Sequence, residues 1–113
     1  EAEYLRVYVG RAANRIEEAP ALERTSGNRT LRAFAKPEGD AIRIDIVIAE
    51  TNKSSATVHL FGTMDRKNAL AFAQFVAGLR PCASKRSFQD CRKPATWEAP
   101  LTQFIIDAAQ RLP

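Results

Sequence analysis

Isoleucine recurs at every second position across one stretch of the chain, and this alternation constrains the fold more than any other feature of the sequence. The four residues are Ile42, Ile44, Ile46 and Ile48. Smaller or polar residues, Arg43 and Asp45 among them, fill the positions between. A period of two in a β-branched run is typical of a strand with one buried face and one wetter face. Residues 41–49 are therefore predicted to form a strand that lies on a hydrophobic core.

Weaker alternation elsewhere predicts the rest of a sheet. Residues 4–9, 30–36 and 57–61 each alternate apolar side chains with polar or aromatic ones. A turn is expected at 37–40, where proline presets φ and glycine relieves strain. Because only short links join the last three strands, they are expected to form an antiparallel meander.

The period changes to 3.6 in the second half of the chain, which predicts two helices. The first should follow Asp65 as its N-cap and end before Pro81, and the second should begin with Pro100 in its first turn. The first helix carries an apolar stripe of Ala69, Phe72, Ala73, Val76 and Leu79, widened by Leu70 and Phe75. Residues 11–24 also have helical character, and Pro20 should limit that helix to about two turns.

These elements predict the α+β class. The expected architecture is a two-layer sandwich: an antiparallel sheet of about four strands, two C-terminal helices on one face and a short N-terminal helix. A chain of 113 residues is long enough for one domain, taken as 1–113, with residues 1–3 as a disordered or expression-derived start. No apolar run approaches the roughly 20 residues that span a bilayer, so no transmembrane segment is expected.

Cysteine spacing and sequons favour a secreted protein. Cys82 and Cys91 are separated by eight residues and are the only cysteines, so a disulfide that closes this loop is expected. The alternative is two reduced thiols in a cytosolic protein. Asn28 and Asn52 begin N-x-S/T sequons where turns are expected, which makes them glycosylation candidates. The Glu1-Ala2 start resembles the remnant that yeast secretion leaders leave behind.

Catalytic and metal-binding signals are sparse. His59 is the only histidine, and Asp45 lies on the neighbouring predicted strand, so a His–Asp pair on the polar face is a weak acid–base candidate. The chain contains no nucleophile elbow, P-loop, zincin or dinucleotide-binding motif. One histidine and two cysteines cannot complete a zinc site, and no calcium loop is present. We expect no metal and no cofactor.

The polar face of the predicted sheet interleaves aromatic rings with cations, a combination that suits base stacking and phosphate contacts. Its members are Arg6, Tyr8, Arg32, Phe34, Lys36, Arg43, His59 and Phe61. The net charge of +4 is compatible with this interpretation and with mere solubility. The run from Val7 to Gly10 resembles the first RNA-contact motif of RRM domains, which implies RNA binding. The second RRM motif, a basic-Gly-aromatic-Gly-aromatic run, is absent.

The segment around the cysteines is the preferred binding candidate. Lys85, Arg86, Phe88 and Arg92 would be held at the surface by the disulfide, and a preorganised loop loses less entropy on binding. The bridge could equally serve only to stabilise a long connection. Trp97 is either a second anchor or, as is more usual for a lone tryptophan, packed on the core.

The leading functional hypothesis is a small secreted, non-enzymatic binding protein whose surface loops contact another macromolecule, most simply a protein or an anionic surface. In fold class such a chain is similar to fungal killer-toxin and effector domains, with which it shares no sequence motif. One alternative is a basic protein that binds or cleaves nucleic acid through the sheet face Arg6, Tyr8, Arg32, Phe34 and His59. Another is a small hydrolase or lyase that uses His59.

Overall fold

Five antiparallel strands and two helices make up the fold of the residues that the structure describes. The structure is a computed structural model, and it describes residues 5–9 (as backbone only), 18–50, 58–77 and 96–113. The strands are β1 Leu5–Val9, β2 Leu22–Ser26, β3 Arg29–Glu38, β4 Ala41–Glu50 and β5 Val58–Met64. The helices are α1 Ala69–Ala77 and α2 Glu98–Ala109. The sheet order β1-β5-β4-β3-β2 makes β2 to β5 a continuous meander, with β1 added at the β5 edge.

The isoleucine strand lies at the centre of the sheet, and its even positions form the core. Ile44 and Ile46 are fully buried, and Ile42 and Ile48 nearly so. Leu31 and Ala33 of β3 and Leu60 of β5 bury their side chains on the same inner face. Both helices cover this face with the side chains Phe72, Val76, Leu101, Ile105 and Ala108. The predicted α+β two-layer sandwich is confirmed.

Local signals set the helix boundaries. Asp65 Oδ1 accepts hydrogen bonds from the main-chain N–H of Lys67 at 2.9 Å and of Asn68 at 3.0 Å. Asn68 Oδ1 accepts in turn from the Asp65 N–H at 2.8 Å, so the two side chains cap the turn that leads into α1 reciprocally. Pro100 lies in the first turn of α2, as expected. The N–H groups of a first turn have no partner within the helix, so proline removes no hydrogen bond there.

One strand was not predicted from the sequence. Residues 22–26 form the strand β2, although a helix was expected only before Pro20 and residues 25–28 were expected to be a loop, because the Gly27–Asn28 turn pairs them with β3 from Ser26↔Arg29 to Leu22↔Ala33. Of the short N-terminal helix, residues 11–17 lie outside the described part of the chain, and residues 18–21 are not helical. The apolar stripe of α1 is narrower than expected, since Leu70 is 71% exposed and Phe75 is 45% exposed.

Two-residue turns close the β2–β3 and β3–β4 hairpins of the meander. Gly27 and Gly39 have φ of 62° and 63°, whereas no described residue other than glycine has positive φ. Glycine with positive φ at the first central position alone is the type II′ pattern, whose twist matches that of the flanking strands. A β-carbon at Gly39 would meet no atom within 4 Å, so only the backbone conformation selects glycine there.

Gly39→Ala is therefore expected to lower the free energy of unfolding by about 1–2 kcal/mol, the energy of holding an L-residue in the left-handed region. Urea denaturation compared with the Asp40→Ala variant, which changes the neighbouring turn residue without this demand, measures the difference. Equal midpoints for the two variants would contradict the assigned turn.

The strand β3 is longer than its partner β2, and this mismatch shapes the surface. β2 pairs with residues 29–33 of β3 only, and its ladder is extended by one bond from the Ala21 N–H to the Ala33 carbonyl at 2.9 Å. On its other side β3 pairs with β4 along its whole length, from Arg29↔Glu50 to Glu38↔Ala41. Among the described residues, no strand pairs with residues 34–38 on the side away from β4.

Candidate functional site

The outer face of the sheet, opposite the helices, carries a cluster centred on the carboxylate of Asp45. Odd positions of β4 and β5 project here, because the even positions of β4 are buried in the core. Register places Asp45 directly opposite Phe61 of β5 and diagonal to His59, and Arg43 lies two residues before Asp45 on the same face of β4. These four residues, Arg43, Asp45, His59 and Phe61, are called the Asp45 cluster.

Asp45 is the acceptor for both of its charged neighbours. Arg43 donates from Nε to Oδ1 at 2.9 Å and from Nη2 to Oδ2 at 3.2 Å, which is the bidentate arrangement of the strongest carboxylate pairs. His59 Nε2 donates to Oδ2 at 2.9 Å. Since a carboxylate oxygen only accepts, this bond places the ring proton on Nε2. The structure thus brings Asp45 and His59 into the contact that the sequence suggested.

Phe61 completes the cluster as an aromatic support. The guanidinium carbon of Arg43 lies 4.4 Å from the centre of the Phe61 ring, in cation–π distance. The His59 ring is tilted by 46° against the same phenyl ring, with centroids 5.3 Å apart. The side chains of Asp45 and His59 are each only 13% exposed. The cluster is therefore a partly buried polar network that joins β4 to β5 by side chains as well as by main-chain bonds.

A cleft of about 660 Å³ opens on the outer face beside the cluster. One wall is the segment 18–21 that leads into β2, and the other is the part of β3 that extends beyond β2. The floor is reached by Arg43 and Asp45. The lining residues are Glu18, Ala19, Ala21, Phe34, Ala35, Lys36, Pro37, Glu38, Arg43 and Asp45. We call this hollow the outer cleft; its volume is in the range of ligand sites, roughly 300–1,000 Å³.

The geometry limits what the Asp45 cluster can do chemically. Three hydrogen bonds occupy Asp45, so its carboxylate has little capacity left to accept from a ligand. His59 has the orientation that a carboxylate gives to an acid–base histidine. It contacts Asp45 and Phe61, however, and does not line the outer cleft. The arrangement therefore favours a structural role for the pair.

The structure separates the residues predicted for the sheet face. Phe34 lines the outer cleft, whereas Arg32 is bound to Glu23 of β2, its Nε lying 2.8 Å from Oε2. Register pairs Tyr8 with His59 and Arg6 with Phe61, so β1 places both beside the cluster; their side chains lie outside the described part of the structure.

Several other predicted sites fall outside the described residues. They are the binding-loop residues Lys85, Arg86, Phe88 and Arg92, the pair Cys82 and Cys91, and the sequon residue Asn52. The other sequon residue, Asn28, is exposed in the turn between β2 and β3, where a turn was expected. Trp97 is fully buried in the core, so the expectation that it packs there is confirmed.

Reasoning from the sequence missed one wall and one edge of the outer cleft. Glu18 and Ala19 were assigned to a helix, and Pro37 and Glu38 to a turn. The glycine-containing pair Gly27–Asn28, which is a recognised signal for a two-residue hairpin, could have revealed β2 and hence this wall.

Metal-ligand clusters and membrane-spanning helices are both absent from the described residues. No group of three or more His, Cys, Asp or Glu side chains in this part of the chain could hold a metal ion. No helix formed by these residues has the length and apolar character needed to cross a membrane.

Comparison with known proteins adds no relative. No family model matches the chain, and no curated protein or solved structure matches it either.

Proposed function

We propose that the protein is a small, non-enzymatic binding protein and that the outer cleft receives part of a partner protein. The observation that carries the proposal is the cleft itself, of about 660 Å³, with Phe34 in one wall and exposed Lys36 beside it. An aromatic side chain near a charged one is the kind of surface on which binding energy concentrates. The rest of the lining mixes acidic and basic groups with small apolar ones, which suits a polypeptide better than a highly charged ligand.

Charge pairing on the outer face argues against nucleic acid as the ligand. Arg32 is bound to Glu23 and Arg43 to Asp45, so phosphates would have to compete with carboxylates that already hold these cations. Phosphate contacts dominate the affinity of proteins for nucleic acid, and each lost cation weakens them. Among the cations that line the outer cleft, only Lys36 makes no ion pair with a described residue.

Secretion and a second contact through the cysteine loop are also part of the proposal. The spacing of Cys82 and Cys91 and the exposed sequon at Asn28 support an extracellular protein. Lys85, Arg86 and Phe88 would add a basic and aromatic contact to the one at the outer cleft. Mass spectrometry of the unreduced chain tests the disulfide, and replacing these three residues together tests the loop contact.

Capture of a partner from extracellular material tests the outer cleft directly. The bait is the whole chain, compared with the double variant Phe34→Ala/Lys36→Ala. A matched control, Phe75→Ala/Lys67→Ala, removes an exposed phenylalanine and lysine from the helix layer instead. A protein captured through the cleft should bind the first variant at least about tenfold more weakly, the loss of roughly 1.4 kcal/mol, and the control unchanged.

Two outcomes would overturn this assignment. Equal loss in the cleft variant and the control would mean that the cleft is not the binding site. Tight binding of single-stranded RNA that falls steeply between about 50 and 200 mM salt would favour the nucleic-acid hypothesis instead. Fluorescence of the single buried Trp97 verifies that each variant is folded.

A further inference from the structure

Within the part of the chain that the structure describes, the part of β3 beyond β2 is an unpaired strand edge, and the direction of each of its main-chain groups follows from the register. In an antiparallel sheet the N–H and C=O of one residue point to the same side, and alternate residues bond to opposite neighbours. The Ala33 carbonyl accepts from Ala21 on the β2 side. Since β3 and β4 stay in unbroken register to Glu38, Ala35 and Pro37 direct their main-chain groups to that same side. No described residue forms a main-chain bond to Ala35 there.

Pro37 explains how the chain tolerates this edge. An unpaired edge strand invites pairing with any other extended chain, and proteins limit this with prolines and charges. Proline lacks the N–H that the edge would otherwise present, and it occupies a strand position where no bond to β4 is lost. Exposed Lys36 and Glu38 flank it with charges of opposite sign. The main-chain groups of this edge that form no bond with a described residue are the Ala35 N–H, the Ala35 carbonyl and the Pro37 carbonyl.

Hollows lie on both sides of the same edge. The outer cleft flanks it on the outer face, and a second hollow of about 120 Å³ flanks it on the helix side. The second hollow, called the inner hollow, is lined by Ala35, Lys36, Pro37, Gly39, Ala41, Ile42, Arg111 and Pro113. A strand added at Ala35 would direct alternate side chains into the two hollows, because successive side chains of a strand point to opposite faces.

We propose that the edge of β3 at Ala35 binds an extended segment of the partner protein as a sixth, peripheral strand of the sheet. This inference rests on the proposed function and specifies its binding mode. Main-chain bonds to Ala35 and Pro37 provide affinity, and the hollows select side chains. The small inner hollow, with Ile42 in its lining, selects small apolar residues at every second position of the segment, and the larger outer cleft accepts bulkier ones beside Phe34.

A second copy of this chain fits the edge less well than a partner segment does. Symmetric pairing centred on the open residues 34–38 places Lys36 opposite the same lysine of the other copy, and like charges directly opposite one another are destabilising. The same register sets the Ala35 carbonyl against the nitrogen of a proline, which cannot donate. Pairing centred further toward Ala33 is blocked, because β2 already pairs with residues 29–33 of β3 on this side.

Selection from a phage-displayed library of nine-residue peptides tests the proposal and does not require the partner to be identified first. The whole chain is the target, and enriched peptides are synthesised with a fluorophore for anisotropy titration. Enriched sequences should alternate small apolar residues with others at a period of two. Hydrogen exchange of the Ala35 amide should be fast in the free protein and slow in the complex.

Two variants act on the edge in opposite directions. Ala35→Pro removes the central N–H and should weaken peptide binding about tenfold or more, whereas Pro37→Ala supplies a new N–H and should strengthen it about two- to tenfold, the effect of one hydrogen bond. Asp40→Ala, in the adjacent turn and outside both hollows, is the control and should leave the affinity unchanged.

Each contrary result overturns a defined part of the proposal. Peptides that bind both edge variants like the unchanged chain, or a library that yields none, refute strand addition. Peptides that lose affinity for Phe34→Ala but not for Ala35→Pro refute strand addition and leave the proposed function of the outer cleft standing. A concentration-dependent dimer that Ala35→Pro abolishes identifies a second copy as the occupant.

Discussion

Replacing Trp97 with alanine is expected to lower the free energy of unfolding by about 3–5 kcal/mol, the usual effect of truncating a large aromatic side chain in a core. The side chain is fully buried in the cluster formed by the inner face of the sheet and both helices. Thr96 fixes its position: its Oγ1 donates to the Thr25 carbonyl at 2.9 Å, and its N–H donates to Ser26 Oγ at 3.2 Å. A small domain is stable by only about 5–15 kcal/mol, so this loss would leave the chain close to unfolding.

Replacing Trp97 with phenylalanine separates the contribution of ring packing from that of the buried N–H. The indole Nε1 of Trp97 is buried and has no hydrogen-bond partner among the described residues, so folding removes water from this donor without replacing the hydrogen bond. Phenylalanine retains most of the apolar ring and lacks that donor. We therefore expect Trp97→Phe to lower the stability by only about 1–2 kcal/mol, since relief of the orphaned N–H offsets part of the lost volume.

Urea denaturation followed by far-ultraviolet circular dichroism measures both variants, because fluorescence disappears with the single tryptophan. A Trp97→Phe variant as unstable as Trp97→Ala would mean that the N–H is satisfied in solution. A Trp97→Ala variant within about 1 kcal/mol of the unchanged chain would contradict the burial of the ring.

Periodicity predicted those parts of the fold in which local pattern and tertiary packing agree. The alternation through Ile42 to Ile48 became the central strand, and the helical period around Phe72 and around Ile105 placed both residues in the core. β2 was missed for the opposite reason. Its sequence, with Glu23 and Arg24 beside a single buried Leu22, has almost no strand pattern, and only pairing with β3 makes it a strand.

Part of the candidate site could also be predicted from the sequence, and part could not. His59 and Asp45 could be paired from the sequence, because a short link and a shared face limit the distance between them. The outer cleft could not be predicted, since it forms where the ten-residue strand β3 extends beyond the five-residue strand β2. The difference in strand length depends on how the two strands pair, and neither sequence segment alone indicates it. The choice of Glu23 as partner for Arg32 depends on the same register.

The two polar features of the outer face have different consequences for binding. The Asp45 cluster pairs its own charges and links β4 to β5, whereas no strand among the described residues pairs with residues 34–38 of β3 on the side away from β4. All four residues of the cluster lie on β4 and β5, and none lies on β3. Loss of the cluster should therefore lower stability first, and any direct effect on binding should come from Arg43 and Asp45, which line the outer cleft.

Asp45→Ala is accordingly expected to destabilise the chain by about 2–4 kcal/mol, because it leaves the guanidinium of Arg43 and the ring of His59 without their shared acceptor in a partly buried site. The matched control is Glu23→Ala, which breaks the Arg32 pair on the surface, where the side chains are 43% and 50% exposed. That change should cost at most about 1 kcal/mol. Urea midpoints monitored by Trp97 fluorescence compare the two variants.

A double-mutant cycle between Asp45→Ala and His59→Ala then isolates the pair itself. Residues that share a network couple by about 0.5–3 kcal/mol, so the double variant should be less destabilised than the sum of the two single variants. Additive effects would mean that the 2.9 Å contact between Nε2 and Oδ2 contributes nothing in solution. Binding of a selected peptide to His59→Ala, measured well below its unfolding midpoint, should be within about twofold of the unchanged chain, since His59 lines neither hollow. A loss of binding without a loss of stability would instead assign His59 to the recognition surface.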